Sequence, residues 1–265
     1  MSVKKSTLLI GLVGIILCGS LLRVAYVHRW IIRFAIRHRT PCVLWTKKFR
    51  TNADALTMIA PLLPKNPVII EAGAWNGVDS VNLANFWKQG HVHCFEPIPE
   101  LYNTVVENIK NHNNISSYQI ALADKEGEAD FYVSSSESAP NSPSASSSLL
   151  APERHLVEFP NIIFKKKINV QTTTLDRWAE NNKIDHIDFI WLDTQGSELS
   201  ILKNAPKILK TVKAILTEVE FIEAYKNQPL FSDVKAWMQA HGFRLAALHL
   251  GCDWYGDALF VRSAD

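Results

Sequence analysis

The stretch Val68-Ile69-Ile70-Glu71-Ala72-Gly73-Ala74-Trp75-Asn76-Gly77 constrains the fold of this chain more than any other. Its first five residues read as a strand buried on both faces, and the two glycines permit a turn with positive φ into a helix. A second strand, His91 to Phe95, ends on Glu96, 19 residues after Gly77. This arrangement sets Glu96 at the carboxyl edge of a parallel sheet, where an acidic residue reaches ribose hydroxyls. The pair of motifs points to a nucleoside-containing ligand.

Glycine spacing separates the candidate ligands. A dinucleotide site expects G-x-G-x-x-G with a pyrophosphate on the helix N-terminus. Here the spacing is Gly73-x-x-x-Gly77. Glu71, just before the turn, would repel a pyrophosphate and suits the sulfonium and amino groups of S-adenosylmethionine. That compound is the expected cofactor. Taken alone, the glycines also fit an ordinary tight strand-to-helix connection; Glu96 argues against so plain a reading.

Charge is unevenly spread. Ten of the 28 Lys and Arg lie in residues 1–50, which hold no acid, leaving 18 basic against 26 acidic residues and a net charge of −8 beyond residue 50. An acidic body does not suit nucleic acid as a partner. The basic N-terminal part carries an apolar run: Leu8 to Leu22 is uncharged between Lys4-Lys5 and Arg23, and extended to Val27 it has 20 residues. A helix of that length is about 30 Å long and can span a bilayer. A cleaved signal peptide is the rival reading, but no small-x-small site comes after it. Arg29, Arg33 and Arg37 then recur every four residues among apolar neighbours, as in a helix lying on an anionic membrane surface, or one packed on the body with a solvated face. The expected organisation is an anchor over residues 1–40 and a body over 41–265. Positive charge after the span predicts a single-pass membrane protein with its body in the cytoplasm. The four cysteines are scattered and give neither a disulfide framework nor zinc spacing.

Within the body, strands are predicted at 68–72, 91–95, 116–121, 187–193, 213–220, 243–249 and 257–262, with helices near 78–88, 98–112, 175–182, 197–210 and 229–241. This βαβ rhythm predicts an α/β three-layer sandwich on a mostly parallel seven-stranded sheet. The last two strands read as an antiparallel hairpin at the sheet's end, as in a class I methyltransferase (Rossmann-like) fold. Ser134 to Ser148 contains nine serines, two prolines and one charge. Such a segment cannot bury an apolar core and is expected to be a loop, either a linker or a lid.

A second chemical motif is Ile187-Asp188-Phe189-Ile190-Trp191-Leu192-Asp193-Thr194-Gln195-Gly196-Ser197-Glu198. Its buried strand delivers Asp193 to the sheet edge, and the next strand ends in Glu218-Val219-Glu220. Carboxylates at adjacent strand ends can orient a hydroxyl, take its proton or hold a metal. Asp193 also fits a helix N-cap, and Glu218 a structural role. No histidine set forms a metal site; His91 and His93 share a strand face and read as sheet packing.

These pieces in this order resemble the FkbM family of S-adenosylmethionine-dependent methyltransferases over roughly residues 65–263. The matching segments are Glu71 to Gly77, Phe95-Glu96-Pro97, Ala121 to Gly127, the serine segment ending at Leu149, Thr173 to Asp176, Leu192 to Glu198, and Glu218 to Glu220. The resemblance implies Glu71, Gly73, Asn76 and Gly77 around the methionine end of the cofactor, Glu96 at its ribose and Asp124 near its adenine. Asp193 and Glu218 would face the acceptor. The family often has Asp where Glu71 stands and Glu where Gln195 stands, so a metal requirement is not expected here. The implied reaction is O-methylation of a glycan or related small-molecule hydroxyl, with a lipid-linked glycan attractive beside a membrane. A membrane-anchored nucleoside-binding protein without turnover and a nicotinamide-dependent oxidoreductase are the rival readings, the latter disfavoured by the missing third glycine.

Overall fold

A computed structural model describes residues 31–38 and 46–263. The chain divides into two compact units between Thr46 and Lys47. In the first unit, residues 31–37 form helix α1, with Ile32, Arg33, Ile36 and Arg37 exposed. No helix among the described residues is long and apolar enough to cross a membrane. This corrects the expected transmembrane helix ahead of the fold and the single-pass membrane localisation built on it; residues 8–27, on which both were placed, lie outside the described residues.

The second unit starts with β1 (Lys47–Lys48), α2 (Asn52–Ile59), β2 (Val68–Ala72), α3 (Val78–Phe86), β3 (His91–Phe95), α4 (Pro99–Ile109) and β4 (Ile115–Tyr118). Next come β5 (Ala121–Leu122), β6 (Gly127–Ser136), β7 (Ala139–Pro143), α5 (His155–Glu158) and β8 (Ile162–Thr173). The chain then alternates again through α6 (Leu175–Asn181), β9 (Phe189–Leu192), α7 (Glu198–Lys203), β10 (Ala214–Glu220), α8 (Phe231–Ala240), β11 (Phe243–Leu250) and β12 (Tyr255–Arg262).

The large sheet has the order β1-β11-β12-β10-β9-β2-β3-β4. It holds eight strands where seven were expected, because Lys47–Lys48 pairs in parallel with Ala247–Leu248 at the edge. β12 is antiparallel to both neighbours and lies between β10 and β11, so the terminal hairpin is threaded into the sheet rather than appended to it. This is the class I methyltransferase arrangement, read from the chain's own topology. One face of the sheet presents Ile69, Val92, Cys94, Phe189, Trp191 and Leu216 to a buried cluster completed by Leu56, Ile59, Leu83 and Val105 from α2, α3 and α4. The innermost strands read Val-Ile-Ile-Glu-Ala and Phe-Ile-Trp-Leu because both of their faces are covered.

The structure adds a second, four-stranded sheet of order β5-β8-β6-β7. It corrects two expectations. The strand read over 116–121 breaks, with β4 closing the large sheet and β5 joining the small one. The serine segment is not a loop throughout: Ser134–Ser136 ends β6 and 139–143 forms β7, whose Pro140 and Pro143 are tolerated at a sheet edge. Burial of these serines is met by hydrogen bonds instead of apolar contact. The Ser134 hydroxyl lies 2.6 Å from that of Ser144 and 3.0 Å from that of Ser147, and the Ser134 N–H donates to Ser147 Oγ at 2.9 Å. A small core of Ile98, Ala121, Phe131, Val133 and Val170 backs this sheet.

Candidate active site

Register builds the site. Ala72 pairs with Phe95 on one side and Leu192 on the other, and Leu192 pairs with Thr217. The next residue of each strand, namely Gly73, Glu96, Asp193 and Glu218, therefore stands in one row across the carboxyl edge. Asp257 joins the row as the antiparallel partner of Glu218. Strand order reverses between β2 and β9, which is where ligands settle in open α/β sheets.

One cavity opens on the β2–β3 side of the row and is lined by Glu71, Gly73, Asn76 and Glu96, with Ile98, Leu101, Phe131 and Leu149 as an apolar wall. Gly77 and Asp124 do not line it. Gly77 (φ 78°) caps α3, and a Cβ there would lie 3.3 Å from the Cα of Val105, so it serves close packing of α3 on α4. Asp124 is exposed and borders a separate hollow with Lys125 and Ser197; the adjoining Ile120, Ala121 and Leu122 face the first cavity instead. Gly73 (φ 88°) lines the cavity, and its missing Cβ also makes room for protein, since that atom would sit 1.8 Å from the Asp193 carbonyl oxygen.

The two acids of this cavity are held differently. Glu96 accepts N–H bonds from Trp75 at 3.0 Å and Ile98 at 2.9 Å, yet burial pushes its carboxyl up to about 7. Glu71 accepts a bond from the Ser80 hydroxyl, and burial pushes it up to about 8. An apolar wall for a base, an oriented carboxylate at a strand end and a second buried carboxylate suited to a cation together fit S-adenosylmethionine.

A second cavity lies beyond Asp193. Asp193, Glu218, Glu220 and Asp257 line it with Asp79, together with Trp191, Tyr225, Trp254 and Tyr255, while Asp79, Ala145 and Asp193 line both cavities. At its centre the Gln195 amide nitrogen donates to Asp193 Oδ1 at 2.8 Å and Glu218 Oε2 at 2.6 Å. Asp193 is raised, first by burial, and Glu218 is raised well above its usual range by burial and then by the Asp193 charge. Asp193 is not a helix cap. The turn into α7 is held by Glu198, which accepts from the Thr194 N–H at 2.7 Å and the Gly196 N–H at 3.0 Å.

Sequence reasoning missed His155, Tyr225 and Asp257. Burial lowers His155 to about 4, its ring lines the acid cavity, and its Nδ1 has no hydrogen-bond partner among the described residues. Asp257 was within reach of a sequence argument had the hairpin been threaded beside β10, whereas His155 sits on a one-turn helix with no motif to mark it. His91 and His93 bond to Ser116 at 2.9 Å and Tyr118 at 3.1 Å, as sheet packing requires. Among the described residues no group of three or more His, Cys, Asp or Glu is placed to hold a metal ion.

Comparison with known proteins agrees with this geometry. The methyltransferase FkbM domain matches residues 71–245. The 2-O-methyltransferase NoeI of Sinorhizobium fredii is 30% identical over 171 residues, covering 64% of this chain and 70% of that protein. Among solved structures, a fibrillarin/Nop5p complex aligns with a TM-score of 0.47 at 15% identity, covering 79% of this chain and 80% of that one. Aeropyrum pernix fibrillarin with bound S-adenosyl-L-methionine aligns at 0.44 and 13% identity, covering 80% and 75%. With the family's domain matched over residues 71–245, which hold Glu71, Gly73, Glu96, Asp193 and Glu218, this chain belongs to the FkbM methyltransferase family and is an S-adenosylmethionine-dependent O-methyltransferase.

Proposed function

We propose that the acceptor is a hydroxyl of a carbohydrate or related polyol, bound in the acid cavity, with the cofactor in the Glu71–Glu96 cavity and Asp193 taking the hydroxyl proton. The observation that carries this reading is that Asp193 lines both cavities. Aromatic faces beside carboxylates are the chemistry that holds sugars: rings stack on C–H faces and carboxylates accept bonds from hydroxyls. The likeness to an enzyme named as a 2-O-methyltransferase supports a hydroxyl target.

When bound, S-adenosylmethionine supplies an electrophilic methyl group, so that an O–C bond forms while the C–S bond breaks and its electron pair stays on sulfur. The chain's own residues do the rest. Asp193, ionised, accepts the proton as the oxygen attacks. Glu218, which burial and the Asp193 charge hold toward its neutral form, donates to the acceptor and helps aim it. Ala145 and Ser146 of the serine segment border the acid cavity.

Among the described residues, no Lys or Arg lines this cavity. Neutral sugars should therefore be methylated, and phosphorylated or uronic acid analogues should react at least ~10-fold more slowly because they bring like charge among carboxylates. Measuring S-adenosylhomocysteine release across such a panel tests this, and a preference for anionic acceptors would overturn it.

Cofactor binding should depend on pH. With Glu71 near 8 and Glu96 near 7 in the free protein, Glu71 must release its proton to meet the cation and Glu96 to accept from both ribose hydroxyls, so affinity rises between about pH 6 and 8. Calorimetry in buffers of different ionisation heat should register proton release at pH 7; pH-independent affinity would remove these acids from the cofactor site.

A further inference from the structure

We propose that Gln195 is a positioning residue whose single amide holds Asp193 beside Glu218 and so supports Asp193 as the acceptor's base, an inference that rests on the acceptor site proposed above. One nitrogen serves two carboxylates: the two N–H bonds of the amide go to Asp193 Oδ1 at 2.8 Å and Glu218 Oε2 at 2.6 Å. The amide oxygen accepts from the Tyr225 hydroxyl at 2.9 Å, and that hydroxyl also reaches the Ser146 carbonyl at 2.8 Å. With its oxygen held toward Tyr225, the amide cannot turn and present an acceptor to both acids.

The backbone is fixed as firmly. Gln195 adopts φ 57°, a left-handed conformation uncommon outside glycine, and its carbonyl accepts from the Ser148 hydroxyl at 2.7 Å. Strain tolerated next to a reactive group is the pattern of a site that needs the geometry. Glu218 faces Asp193, Glu220, Glu198 and Asp257, which together with burial raise it well above its usual range, and it has Gln195 as its donor. Asp193 faces Asp79 and Glu218 and receives the Gln195 bond, which favours its charged form. Tyr225, Tyr255 and neutral His155 complete the surroundings and bring no positive charge. Without the amide, both acids would be drawn toward the neutral form, and the base would be lost as pH falls.

The test replaces Gln195 with a residue of similar length and no N–H. In Gln195→Met the acidic limb of the kcat–pH profile should move up by about one pH unit, with turnover below that limb about 10-fold lower and S-adenosylmethionine affinity within about twofold of wild type. Gln195→Glu, which puts a charge where the donor was, should move the limb in the same direction and serves if the Met variant does not fold. Tyr225→Phe should move it less. A readout without turnover is the 13C carboxyl titration of Asp193 in cofactor-free protein, assigned with Asp193→Asn, which should shift upward in all three variants. An unchanged Asp193 titration and an unchanged limb would overturn the role of Gln195. Wild-type turnover in Asp193→Asn would instead overturn the acceptor reading.

Discussion

Asparagine at position 193 should lower turnover by roughly 10²-fold or more while leaving cofactor affinity nearly intact, the size expected when a positioned base is removed. Amide and carboxylate fill nearly the same space, so the change in shape is small. Asp193 gives no cap to α7, since Glu198 holds that turn, so the substitution removes no backbone bond. Taking an upshifted carboxylate out of a crowded acid cavity should leave thermal stability unchanged or raise it. Turnover, S-adenosylmethionine affinity and melting temperature measured on one preparation separate the cases. Wild-type turnover would exclude Asp193 as the base, and a large drop in melting temperature would make it a structural residue.

Gly73→Ala should be among the most damaging single-methyl changes in the chain. Its Cβ would lie 1.8 Å from the Asp193 carbonyl oxygen and 2.8 Å from the carbonyl carbon, both backbone atoms that no side-chain rotation relieves. The residue also adopts φ 88°, which costs an L-residue about 1–2 kcal/mol, and overpacking adds about 1–3 kcal/mol. A combined loss of about 2–5 kcal/mol is a large part of typical domain stability. Gly127→Ala is the control: φ is 131° there, but no described atom lies within 4 Å of the added Cβ. Urea unfolding of the two variants should differ by about 2 kcal/mol or more; equal stability would mean that β2 and β9 do not approach as described. In the folded fraction of Gly73→Ala, turnover should fall with stability, since the displaced carbonyl belongs to Asp193.

How much of this could be read in the sequence depends on how far apart the interacting residues are. β2 and β9 announce themselves because strands covered on both faces are apolar throughout. Acids at or just past the end of such a strand lie at the sheet edge, so Glu71, Glu96, Asp193 and Glu218 could be placed from local pattern. The small sheet could not. In β8, Lys165, Lys166 and Lys167 interrupt the alternation on an exposed stretch, and β6 ends in serines whose burial depends on Ser144 and Ser147. Gly73 and Gly77 were visible, but their reasons were not, because Asp193 and Val105 are distant in sequence. The apolar run near the N-terminus lies outside the described residues, and among those no helix is long and apolar enough to cross a membrane.

The cavity proposed for the acceptor has walls of unequal evolutionary freedom. Its near wall, Asp193 to Gln195, is clamped to the cofactor turn through Gly73, so drift on either side of that contact must be matched on the other. Its far wall comes from α5 and the turn before β12, where His155, Phe159, Trp254 and Tyr255 border the acid cavity and none borders the cofactor cavity. Substitutions on that rim leave the lining of the cofactor cavity untouched. Grafting residues 155–159 and 252–255 between relatives is the corresponding route for redirecting such an enzyme without rebuilding its chemistry.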